Sequence, residues 1–135
     1  MLPDKNAEDR LLAVMAVLAA LLASFHFADD IVRGFERGQL WNFNGIFVLG
    51  AWLAGPLMLA RRRSGYIIVL LLSILGLGIP YLHMRGRGVG LEGRIAHTEG
   101  AFFFVWTLLA LGVTSLYSII LSARGLWRLR AGQQT

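Results

Sequence analysis

Four uninterrupted apolar runs dominate the chain. Positions 11–28 carry no Asp, Glu, Lys or Arg over 18 residues, 39–60 none over 22, 64–84 none over 21 and 100–123 none over 24. Short charged stretches separate them: 29–38, the triplet Arg61-Arg62-Arg63, and 85–99. A helix rising ~1.5 Å per residue needs about 20 apolar residues to cross a hydrocarbon core of ~30 Å. The runs are continuous rather than alternating, and a transmembrane barrel would need about eight strands at minimum, so helices are the expected element. The pattern predicts an all-α, integral membrane, four-helix up-down bundle. It forms a single transmembrane domain over 1–135 with spans near 11–28, 43–60, 65–84 and 100–122 and short tails.

Composition agrees with this class. Hydrophobic residues make up 56% of the 135 positions and charged residues 16%, against the ~25% charged of ordinary soluble domains, and mean hydropathy is +0.62. Cysteine is absent, which excludes disulfides, thiolate metal sites and a Cys nucleophile. The first run is read as a true span, not a cleaved signal. Lys5 and Arg10 are outnumbered by Asp4, Glu8 and Asp9, and a cut after Ala28 would put His26 where a small residue is needed.

An even number of spans places both termini and the Arg61-Arg62-Arg63 loop on one side. That side holds eight Lys and Arg (Lys5, Arg10, Arg61, Arg62, Arg63, Arg124, Arg128, Arg130); the other holds five (Arg33, Arg37, Arg85, Arg87, Arg94). The positive-inside rule then predicts cytoplasmic termini. The net charge of +5 resides in these flanks, with anionic headgroups of membrane lipids as the expected counter-charge. Other membrane subunits or further copies of the chain are compatible partners. Nucleic acid is not expected, because no basic stripe is interleaved with aromatics on a polar face. The glycine-rich stretch 85–94 fits no phosphate-loop spacing and reads as a connector.

Polar chemistry is segregated. His26, His83 and His97 all fall at span ends that the up-down topology brings to one side, beside Asp29, Asp30, Asn44 and Glu99. Helical phase aligns them with small residues, which membrane helix interfaces favour. Ala16, Ala19, Ala23, His26, Asp30 and Arg33 form one stripe; Ser73, Gly76, Pro80 and His83 another; Asn44, Ala51 and Gly55 a third; Thr107, Thr114 and Ser118 a fourth. Ionisable groups in apolar surroundings are costly unless paired, hydrated or metal-bound. Neutral imidazoles with carboxylates suit a divalent metal ion such as Zn²⁺, Fe²⁺ or Mn²⁺, and three imidazoles also suit Cu. The candidate ligands are His26, Asp30, His83 and His97, with Glu99 or Asp29 as a base acting on metal-bound water.

Two function classes follow. In one, the protein is a small membrane subunit or ligand-binding protein with a His/Asp pocket opening to the non-cytoplasmic side. In the other, it is a metal-dependent membrane enzyme acting on a lipid or other apolar substrate. A plainer account of the same residues is a salt-linked helix end in the headgroup zone, where His, Asp and Arg are at home. A single b-type haem between two imidazoles ranks below a bare ion. A one-chain transporter is disfavoured because mid-span polarity is limited to Ser73, Thr107 and Thr114. Trp41, Tyr81 and Trp127 read as interfacial anchors, Trp52 and Trp106 as packing or lipid contacts, and Pro56 and Pro80 as helix kinks.

Overall fold

The computed structural model describes residues 5–39, 42–85 and 98–132. These form four helices and no strand among the described residues: α1 (Lys5–Val32), α2 (Phe43–Met58), α3 (Arg63–Arg85) and α4 (Ala101–Ala131). Each helix packs against its neighbours around a ring, α1 on α2 and α4, α3 on α2 and α4. The ends show the alternation of direction. Glu8 at the start of α1 meets Arg124 and Arg128 near the end of α4, and Arg33 just past α1 reaches Thr98 ahead of α4. The architecture is an all-α four-helix bundle.

On α1 mostly small residues line the inside, and large apolar residues cover the outside of the helices. On α1, Ala16, Ala19, Ala23 and His26 are buried, while Leu11, Val14, Leu18, Leu21 and Phe25 are exposed on the opposite stripe. On α4 the buried set is Phe104, Thr107, Leu108, Leu111, Ser115 and Ser118, and Phe102, Trp106, Leu109, Val113 and Leu116 face outward. A soluble bundle has the reverse surface, and a contiguous apolar exterior of this extent marks contact with lipid. α1, α3 and α4 are each long and apolar enough to cross a membrane. The fold is that of a membrane protein.

α2 differs from the second predicted span, 43–60. It has 16 residues, roughly 24 Å of rise, and so is shorter than a hydrocarbon core. Its start is set by Asn42, whose side chain accepts a hydrogen bond from the Gly45 N–H at 3.1 Å. Its face also differs from the expected Asn44, Ala51 and Gly55. Gly45, Trp52, Gly55 and Pro56 are buried, and Asn44 is exposed. The cause is Trp52, only 1% exposed, whose indole fills a notch beside Gly76 and Ser115. A Cβ on Gly76 would come within 2.6 Å of both the indole edge and the Ser115 hydroxyl, so only glycine leaves room. Burying that ring rotates α2 from the phase its small residues alone imply.

The end of the bundle holding the start of α1 is tied by ion pairs. Glu8 contacts Arg124 at 2.7 Å and Arg128 at 2.9 Å, and Asp9 accepts from Tyr66 at 2.7 Å and Arg128 at 3.0 Å. Part of the arginine charge is thus balanced within the chain. Pro56 and Pro80 both lie inside continuous helices.

Candidate metal centre

The opposite end of the bundle brings three predicted ligands together. α1 places His26 and Asp30 one turn apart on one face, and α3 places His83 opposite them. Nε2 of His26 lies 3.4 Å from Oδ2 of Asp30, and Nε2 of His83 lies 4.0 Å from the same oxygen. The two imidazoles meet edge to face with centroids 4.6 Å apart. One ligand atom from each of the three residues lies within 4.8 Å of the others.

Local structure fixes each member. α1 terminates in a Schellman motif: Gly34 takes φ +75°, its N–H bonds to the Ile31 carbonyl, and the Phe35 N–H returns to the Asp30 carbonyl at 2.8 Å. Asp30 is therefore pinned through its backbone in the last turn of the helix. The reversal also drops Phe35 onto Phe104 and Leu108. Phe104, fully buried on α4, closes one side of the site with its ring 5.4 Å from His26 and 5.7 Å from His83.

The tautomer of His83 follows from its partner. Its Nδ1 lies 3.0 Å from the Ile79 carbonyl, which can only accept, so Nδ1 carries a proton and Nε2 is the atom turned toward Asp30. A backbone carbonyl holding the far nitrogen of a ligating imidazole is the usual second support of a metal histidine. An imidazole nitrogen and a carboxylate oxygen facing each other need a proton or a cation between them. Nδ1 of His26 and Oδ1 of Asp30 are buried with no hydrogen-bond partner among the described residues. His26 is 4% exposed, so its ring is enclosed by the packed helices.

The remaining candidates are placed differently. Asp29 pairs with Arg33 at 2.6 Å, and Arg33 donates to the Thr98 hydroxyl at 2.8 Å and lies over the Phe104 ring. This carboxylate ties α1 to the segment entering α4. Glu99 is exposed in the turn before α4 and is not part of the His/Asp group. His97 lies outside the described residues. The edge-to-face contact of His26 and His83 leaves no slot for a porphyrin between these two rings.

A cavity of about 320 Å³ adjoins the triad. Its walls are mostly apolar, with Phe27, Val48, Leu49, Trp52 and Ile79, and Asn44 and Glu36 stand at its polar edge. The sequence brings the triad residues together and gives Trp52 a packing role, but does not single out Phe104 as the wall of the site. The role of Trp52 fits Gly76 and Ser115, which leave a vacant volume that only a large neighbour can fill. Comparison with protein-family models, with curated proteins and with solved structures finds no match for this chain.

Proposed function

We propose that this membrane protein binds a divalent transition-metal ion through Nε2 of His26, Nε2 of His83 and the Asp30 carboxylate. The observation that carries the reading is the convergence of both imidazoles on Oδ2 of Asp30, at 3.4 and 4.0 Å. Ligand atoms around an ion at ~2.0–2.2 Å stand about 3.3–3.6 Å apart, so the His26–Asp30 pair has that spacing and His83 would draw in by roughly half an ångström on binding. One cation would be shared by Nε2 of His26, Nε2 of His83 and Oδ2 of Asp30. Two nitrogens and a carboxylate suit Zn²⁺, Fe²⁺ or Mn²⁺.

Three protein ligands leave coordination positions open. His97 is the candidate fourth ligand, as the up-down topology brings the start of the last span to this end. Otherwise an open position accepts water or a ligand from the neighbouring cavity. The apolar walls of that cavity favour a second reading, an enzyme on an apolar substrate, in which the ion activates a water. In that reading Glu99 is the better base, because Asp29 is already held by Arg33.

Elemental analysis of the protein purified in mild detergent tests the proposal. About one equivalent of a single metal per chain is expected, with loss of that equivalent in the Asp30→Asn and His83→Ala variants. Wild-type protein that neither carries nor takes up Zn²⁺, Mn²⁺ or Fe²⁺, and gains no stability from any of them, would overturn it.

A further inference from the structure

The arginine-rich end of the bundle contains a second cavity, unrelated to the histidine site. It measures about 320 Å³ and is lined by Arg61, Arg63, Ile67, Leu126, Leu129 and Arg130. Three guanidinium groups border it and, among the described residues, no carboxylate does. Their neighbours are otherwise well matched: Arg124 and Arg128 pair with Glu8 and Asp9, and Arg61 reaches Asp9 at 3.5 Å and the Asn6 side chain at 2.7 Å. Arg63 and Arg130 have no ion-pair partner among the described residues. Three like charges converging on one cavity repel, and an anion placed among them removes the conflict.

The vertical order of the lining residues indicates which anion. Arg63 and Ile67 are one turn apart on α3, and Leu126 and Arg130 are one turn apart on α4, with both arginines toward the helix end. Charge therefore stands at the rim, and apolar side chains lie one turn deeper along two helices long enough to span a membrane. A phospholipid presents its phosphate and acyl chain in the same order. Basic recesses between transmembrane helices bind such headgroups.

We infer that this recess between α3 and α4 is a binding site for the phosphate of an anionic phospholipid, with Arg63 and Arg130 as its charge partners and Ile67, Leu126 and Leu129 against the chain. Arg61, held from the far side by Asp9 and Asn6, completes the rim. The site needs no metal.

Thermal unfolding of delipidated full-length protein in detergent, titrated with phosphatidylglycerol, phosphatidylcholine or inorganic phosphate, tests this. Phosphatidylglycerol is expected to raise the midpoint saturably and phosphatidylcholine to leave it unchanged. Arg63→Gln/Arg130→Gln should raise the half-saturating lipid concentration roughly thirtyfold, about fivefold for each arginine near an anionic surface. Arg37→Gln/Arg62→Gln, with the same change in net charge outside the cavity, should leave it unchanged. Equal responses to both lipids, or equal losses in both double variants, would overturn the site in favour of general charge attraction. A full response to inorganic phosphate alone would overturn the lipid assignment. Native mass spectrometry of the wild-type protein gives a readout independent of the variants' folding: anionic lipid should be retained over zwitterionic lipid, and retention without preference counts against the inference.

Discussion

If His26 and His83 hold one ion, removing either should cost nearly as much as removing both. Stabilisation by a bound ligand is RT ln(1 + [L]/Kd), about 2.7 kcal/mol when the free metal is 100 times Kd. Removing an outer-sphere support of a metal ligand weakens binding by about 10–100-fold. Losing one of the three ligands that meet at Asp30 should reach at least the upper end of that range. At the same free metal the wild-type ratio of 100 then falls to about 1, leaving roughly 0.4 kcal/mol. Each single His→Ala change thus removes about 2.3 kcal/mol of metal-dependent stability. The double variant can remove no more than the original 2.7, where independent sites would together lose about 4.6. The expected coupling is about 2 kcal/mol, within the range for residues sharing one partner. Reversible unfolding in detergent, with and without Zn²⁺ or Mn²⁺, measures this for the four proteins. Only the metal-dependent part is compared, so the cost of replacing a buried ring cancels. Single variants that keep the full metal effect, or losses that add, would refute a shared ion.

Three further outcomes follow from the packing. Gly76→Ala places a methyl group 2.6 Å from the Trp52 edge and the Ser115 hydroxyl, and should lower stability by about 1–3 kcal/mol in the same unfolding assay. Gly34→Ala forces a side chain into left-handed backbone at φ +75° and should cost about 1–2 kcal/mol. Because that turn pins Asp30, the variant should also bind metal more weakly by titration. Glu8→Gln leaves Arg124 and Arg128 without their carboxylate. Its loss should be about 2 kcal/mol, below the 3–5 of fully buried pairs because Arg124 is half-exposed, and smaller in high salt.

The class of fold was legible because lipid imposes one rule on length and another on polarity. Uncharged runs of 18 to 24 residues set off by arginines have few other uses. The stripe Ala16, Ala19, Ala23, His26 was equally readable, since helical period and the preference for small residues at membrane interfaces agree on α1. On α2 the two signals conflict. Its small residues pointed to Asn44 and Ala51, but one buried indole outweighs several small side chains, and its partners Gly76 and Ser115 lie on other helices. The meeting of His26 and His83 was predicted from topology alone. That Asp29 is held by Arg33 and does not stand free as a base was not, because the partner of such a carboxylate depends on which side chains the following turn and α4 bring alongside.

The depth of the triad connects its two unusual features. His26 lies three residues before Asp29, the first charge after the apolar run, which is about 4.5 Å along the helix axis. The triad is therefore within one turn of the end of the apolar run, with Phe104 against both imidazoles and Trp52 in the wall of the adjoining cavity. An ion at that depth is near enough to water to arrive and exchange. The cavity beside it is walled on the α2 side by the apolar Val48, Leu49 and Trp52. A molecule that partitions into the membrane and carries one oxygen or nitrogen donor could approach an open coordination position without crossing a polar barrier. On this geometry metal uptake and access of an apolar ligand are separable. A bulky replacement at Val48 or Leu49, as in Val48→Phe, should leave metal stoichiometry near one while blocking entry of apolar chelators that quench or shift a bound Co²⁺ spectrum. Loss of metal together with chelator access would show instead that the cavity and the ligand set are a single packed unit.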